Sequence, residues 1–114
     1  MIQMLHEHTY PVVQPHGPML YADQEQLKLI LRTMLGDGER AIIVDLRYTD
    51  LITSAGLGIL FTLQKELQAE GGRMALVGPK PSVLTALRDW RLDQILSIYA
   101  TMKEACDALG STSS

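Results

Sequence analysis

Thr53 and Ser54 stand side by side in the stretch "LITSAGLGIL", with Gly56 and Gly58 close behind. Two hydroxyls beside two glycines suit three kinds of chemistry. Glycines can bare a turn for a bound phosphate, a hydroxyl can cap a helix, and a hydroxyl can itself be phosphorylated. The pattern "GLGILF" carries Phe61 where the third glycine of G-x-G-x-x-G belongs, and no Walker lysine follows. A dinucleotide or P-loop site is therefore not expected. "TSAG" is not a G-x-S-x-G nucleophile elbow, and no histidine follows Ser54 to serve as its base.

Two readings of Ser54 remain. As a helix N-cap its hydroxyl would accept a backbone N–H from the first turn. As a phosphoacceptor it would sit where free N–H groups and a partial positive charge tolerate an added phosphate. Phosphorylation would add about −1.5 to −2 charge without breaking the fold, changing instead what can dock. Gly56 and Gly58 would keep that first turn bare, so that a partner's backbone could approach closely.

The other reactive residues offer less. His6 and His8 alternate on one face of a possible strand and His16 lies further on, but no third ligand of metal-site spacing accompanies them. A solvated edge strand accounts for the pair. The carboxylates are scattered, as on a solvated surface. Cys106 is the only cysteine and reads as a small buried hydrophobe on a helix. No metal or cofactor is expected.

The elements that hold these residues follow from periodicity. "MIQML" and "YPVVQP" form an expected edge hairpin, with Pro11 and Pro15 limiting its second strand. Leu27, Ile30, Leu31, Met34 and Leu35 mark one face of a helix opened by an Asp23–Gln26 capping box and stopped at Gly36. "AIIVDL" reads as a buried central strand, and residues 54–69 as a second helix ended by Gly71 and Gly72. "RMALVG" is another strand, a third helix spans about Val83 to Trp90, and "QILSIY" is a last strand candidate. Thr101 and Glu104 make a capping box for a fourth helix carrying Met102, Ala105, Cys106 and Leu109. Strands alternating with helices point to the α/β class, with a mixed, largely parallel central sheet and about four helices packed against it.

The whole chain bounds the function. Its 114 residues suit one domain, and 46% apolar with 20% charged residues is an ordinary globular mix. A formal charge of −3 and a pI near 5.5 leave no basic footprint for nucleic acid. No apolar run has the length of a membrane span, and "MIQMLHEHTY" lacks the regions of a signal peptide. A lone cysteine fits a reducing cytoplasm. Residues 1–109 are expected to form the domain and 110–114 a flexible tail.

The stretch "IIVDLRYTDLITSAGLGILFTLQKELQAEGGRMALVGPKPSVLTALRDWRLDQIL" resembles the STAS domain of bacterial anti-sigma factor antagonists. The likeness covers residues 38–109 well, through the strand, the D-S-[ST/A]-G-[LI]-G-type turn, its helix, "GGRMALVGPKPSV" and "TMKEACDAL". It implies a cytoplasmic binding protein, not an enzyme. Its partner would be an anti-sigma factor with serine-protein kinase activity, and the chain itself a monomer or weak homodimer. The family's phosphorylated serine falls on Ser54, its small next residue on Ala55, and its Gly-Leu-Gly on Gly56, Leu57 and Gly58. Asp50 and Thr53 would complete the partner-binding turn, with Thr53 the weaker candidate acceptor. Three positions depart from the family. Thr53 stands where aspartate is usual, and Trp90 and Arg91 stand where a small residue and glycine are common. The alternative that the resemblance leaves open is a STAS subunit of a lipid ABC transport complex, docked without phosphorylation.

Overall fold

The central strands are buried on both faces, and successive side chains enter two separate cores, a division that organises the molecule. The computed structural model describes residues 1–7 and 10–110. Its order is β1 (Ile2–Glu7), β2 (Tyr10–Pro15), α1 (Tyr21–Gly36), β3 (Ala41–Asp45), α2 (Ser54–Ala69), β4 (Arg73–Val77), α3 (Pro81–Asp89), a 3-10 turn (Leu92–Gln94), β5 (Ser97–Tyr99) and α4 (Met102–Gly110). The strands form one five-stranded sheet in the order β1-β2-β3-β4-β5. β1 pairs antiparallel with β2, and every other neighbour pair is parallel.

On one face Val13, Ile42, Val44, Met74 and Leu76 meet Leu27 and Leu31 of α1, Leu57, Leu60, Leu63 and Leu67 of α2, and Val83 and Leu87 of α3. On the other face Val12, Ile43, Ala75 and Val77 meet Ala105, Cys106 and Leu109 of α4. Each fully buried leucine removes enough apolar surface from water to contribute about 1.5–3 kcal/mol, so the α1–α2 face is the main source of stability. Cys106 is buried in the smaller core, as its place on an apolar helix face implied.

The edge hairpin, the four helices and the parallel centre form as the periodicity indicates. The prolines do not shorten β2, because its pairing with β3 runs through Val12 and Val13, between Pro11 and Pro15. Other details differ. α1 begins at Tyr21, so Asp23 lies within the first turn, where its carboxylate accepts the Leu20 N–H at 3.1 Å. That bond is the main cause holding its pKa below the usual carboxylate range. α1 also runs through Gly36, and Gly38, at φ +95°, turns the chain. At α4 the expected cap forms: Thr101 Oγ1 accepts from the Glu104 N–H at 3.2 Å, and the Glu104 carboxylate accepts from the Ala100 N–H. Gly110 belongs to this helix and not to a tail. His8 and the remaining tail residues, Ser111 to Ser114, lie outside the described residues.

Candidate functional site

The turn between β3 and α2 is held from both sides before α2 begins. Residues 49–51 run alongside residues 17–19: Gly17 N–H donates to Tyr48 O at 2.7 Å, Asp50 N–H to Gly17 O at 3.3 Å, and Met19 N–H to Leu51 O at 2.9 Å. Thr49 Oγ1 adds a bond to Pro15 O at 3.2 Å. On the opposite side the Asp50 carboxylate pairs with Lys80, and Ser82 Oγ donates to Asp50 O at 3.1 Å. The turn is therefore tied to β2 and to the start of α3.

Thr53, not Ser54, caps α2. It has extended backbone angles, and its Oγ1 accepts the Gly56 N–H at 3.3 Å. The Leu57 N–H bonds to Thr53 O at 3.0 Å, closing the first turn. Thr53 Oγ1 also accepts from the side-chain amide of the buried Gln24, which in turn bonds Met19 O at 3.2 Å. An oxygen that holds two donors must release them before it can attack phosphorus. Ser54 is the first helical residue and exposed, and among the described residues no hydrogen bond engages its hydroxyl. The capping need that Ser54 was one candidate to meet is filled by its neighbour, and the Ser54 hydroxyl is left over.

The two glycines separate in role. A Cβ on Gly56 would stand 2.9 Å from Ile52 Cγ1 and 3.4 Å from Met19 Sδ, so Gly56 is buried to let α2 close on the turn beneath it. Gly58 is exposed and a Cβ there would meet nothing within 4 Å. The expectation that both bare the surface is corrected: only Gly58 does. Ala55 is exposed, and Leu57 points into the larger core. The Gly56 and Leu57 N–H groups are both bonded to Thr53, one to its side chain and one to its carbonyl.

A polar cluster that the residue pattern did not reveal lies beneath the turn on the α4 face. Asp45, fully buried at the end of β3, accepts from Gln14 Nε2 at 2.8 Å and from the Arg47 guanidinium at 2.9 and 2.7 Å. Burial pushes its pKa up, but the bonds from Arg47 and Gln14 outweigh burial and hold the carboxyl below its usual range. Gln14 Oε1 faces His16 Nε2 at 2.8 Å, so the fitting tautomer carries its proton on Nε2. His16 in turn stacks on Tyr48 with ring centroids 5.0 Å apart. The third histidine thus belongs to a structural network. Among the described residues no group of three or more histidine, cysteine, aspartate or glutamate side chains could hold a metal.

Beside Ser54 an apolar groove of about 350 Å³ runs along α2, lined by Ser54, Leu57, Gly58, Phe61, Trp90, Leu92 and Ile95. Its far wall depends on Arg91, which takes the left-handed angles φ 57°, ψ 25° just past the C-terminus of α3. Helices commonly end with glycine in that conformation, and an L side chain there costs about 1 kcal/mol. The departure at Trp90–Arg91 is thus a strained helix end that keeps a large aromatic on the surface.

Comparisons with known proteins bear on the family and the fold. The family model described as the STAS domain matches residues 1–105. BtrV of Bordetella bronchiseptica, assigned by its name to the anti-sigma factor antagonists, is 33% identical over 94 residues, 81% of this chain and 78% of that protein. The crystal structure of a Thermotoga maritima protein described in the same terms superposes with a TM-score of 0.87 at 25% identity, covering 95% of this chain and 93% of that one. The anti-sigma factor antagonist SpoIIAA in its unphosphorylated form gives 0.85 at 23% identity, covering 97% of each chain. Its phosphorylated form, from Bacillus, gives 0.76 at 24% identity over 95% of this chain and 98% of that one. Among the described residues no helix is long and apolar enough to cross a membrane.

Proposed function

The chain belongs to the STAS domain family, and from that premise we propose that it is an antagonist-like switch protein that captures an anti-sigma factor with serine kinase activity. It works in the cytoplasm by binding and not by catalysis. The observation that carries the reading is the contrast at the head of α2, where Thr53 takes the cap and the exposed Ser54 hydroxyl has no bond among the described residues. Ser54 Oγ attacks the γ-phosphorus of ATP, the bond to the ADP oxygen breaks, and the hydroxyl proton passes to a base on the kinase. The product dianion sits at a helix N-terminus, which favours negative charge. The fold persists while the docking surface, from Asp50 to Gly58, changes sign and shape. Capture releases the sigma factor, and phosphorylation ends capture.

The usual aspartate before the acceptor would cap α2 through a carboxylate, and Thr53 caps it without charge. That substitution also favours a second reading, in which the same turn docks on the ATPase of a lipid transport complex and is never phosphorylated.

The test is direct. The protein is incubated with its cognate anti-sigma factor and ATP, and the phosphate is located by mass spectrometry. One phosphate on Ser54, with binding weakened in Ser54→Asp, supports the switch. No phosphate on Ser54, together with unchanged binding by Ser54→Asp, overturns it.

A further inference from the structure

Resting on that reading, we propose that the groove between α2 and the Trp90–Ile95 segment selects the partner, and that its occupant is an amphipathic helix whose apolar stripe is flanked by carboxylates. Leu57, Phe61, Leu92, Trp90 and Ile95 give the groove an apolar lining. Trp90 is 61% exposed and Ile95 44%, so neither is spent on the core. Exposed apolar surface gathered in one concave place marks an interaction site, and a groove along a helix suits a second helix presenting i, i+3, i+4 and i+7 anchors.

Charge selects the kind of helix. Among the described residues no carboxylate lines the groove, and Lys65 stands 5.4 Å from the centre of the Phe61 ring. Among the described residues, neither Lys65 nor Arg91 has a carboxylate within ion-pair reach. Asp93, close in sequence, lines a different cavity with Gly78, Arg88 and Tyr99. The positive end of α2 opens at the head of the same groove. Lys65, Arg91 and the positive helix end attract acidic flanks and repel basic ones. The strained Arg91 fits the same purpose, since strain retained beside a candidate site is a pointer to use. A phosphate on Ser54 would then face the partner's carboxylates directly, so one groove would read both the partner's identity and the switch state.

A display library of helices on a rigid scaffold tests this, selected on wild-type protein. Trp90 is the only tryptophan, so occupancy of the groove moves the emission spectrum. Selected helices should carry an apolar stripe with more Asp and Glu beside it than the starting library, and should shift Trp90 emission to the blue. By titration calorimetry they should bind Trp90→Ala, Ile95→Ala and Lys65→Glu at least about tenfold more weakly, a loss of about 1.4 kcal/mol. No selected helix, flanks that are basic or neutral, or equal binding to Ile95→Ala overturns the proposal. The cognate kinase separates the two readings. If Ser54 is phosphorylated but Trp90→Ala and Ile95→Ala capture the kinase as wild type does, the groove is wrong and the switch stands. If the acidic helices bind as expected but no kinase modifies Ser54, the switch is wrong and the groove stands.

Discussion

The side-chain amide of Gln24, on α1, donates to the hydroxyl oxygen of Thr53 at the head of α2, a contact between residues 29 apart in the chain. Through it one helix of the larger core fixes the start of another. The bond also orients Thr53 Oγ1 toward the Gly56 N–H and leaves Ser54 as the residue facing outward.

Thr53→Val removes the hydroxyl with little change in shape. It leaves the Gly56 N–H without its cap and the buried Gln24 amide without one acceptor. Loss of a cap of this kind costs about 1 kcal/mol, and the stranded amide adds about another. Urea denaturation should show a lower midpoint with an unchanged slope. Thr53→Asp keeps an acceptor at the cap and should restore most of the loss. If Thr53→Val unfolds at the wild-type midpoint, the contact is not one that stabilises the turn.

The two glycines predict opposite signs for one substitution. Gly58→Ala meets open space and gains helix propensity, a stabilisation of about 0.5–1 kcal/mol. Gly56→Ala gains the same propensity but drives a Cβ to 2.9 Å from Ile52 Cγ1. Overpacking in a filled core costs about 1–3 kcal/mol, so the net change should be destabilising. Thermal melts of the two variants, recorded together, should fall on opposite sides of wild type. A gain at both positions would show that Ile52 moves aside freely.

How much of this was legible without coordinates depended on the range of the interaction. The extent of α2 was readable, because Leu57, Leu60, Leu63 and Leu67 repeat at helical spacing and a strand and two glycines bound them. The choice of cap was not. Thr53 and Ser54 are both good caps, and only the path of the turn, stitched to residues 17–19, decides which oxygen faces the Gly56 N–H. The buried cluster was hidden for a different reason. Gln14 and Asp45 are 31 residues apart and meet only because Val12 pairs with Ile43 and Val13 with Val44 in parallel register. The left-handed Arg91 gave no signal in its own residue type, since glycine announces that conformation, and only the resemblance, with glycine common at that place, pointed to it.

Asp45 makes stability depend on acid in a definite direction. Its folded-state pKa lies below the ordinary value of 3.8, so the carboxylate's contribution is complete above that value. As pH falls toward the depressed folded value, protonation removes it. Asp45→Asn should cost about 2–3 kcal/mol near neutral pH, because the Arg47 fork and the Gln14 amide lose a charged acceptor. The gap between wild type and Asp45→Asn should narrow steadily below about pH 4. Urea titrations across that range measure it, and a gap that stays constant would mean that the carboxylate titrates alike in the folded and unfolded chains.

Ser54→Asp should change binding without weakening the fold. The residue is exposed at the first position of α2, where a negative charge meets the positive helix end. A charge there stabilises by about 0.3–1 kcal/mol at low ionic strength, and salt screens the gain. Aspartate also forms helix slightly less readily than serine, so the net shift should be small. The melting temperature in low salt should equal or slightly exceed that of wild type, and added salt should erase any excess. The same preparation should capture the anti-sigma partner more weakly. A large drop in melting temperature would instead trace lost binding to unfolding, and a phosphate at Ser54 would then act by disrupting α2 and not by changing what docks upon it.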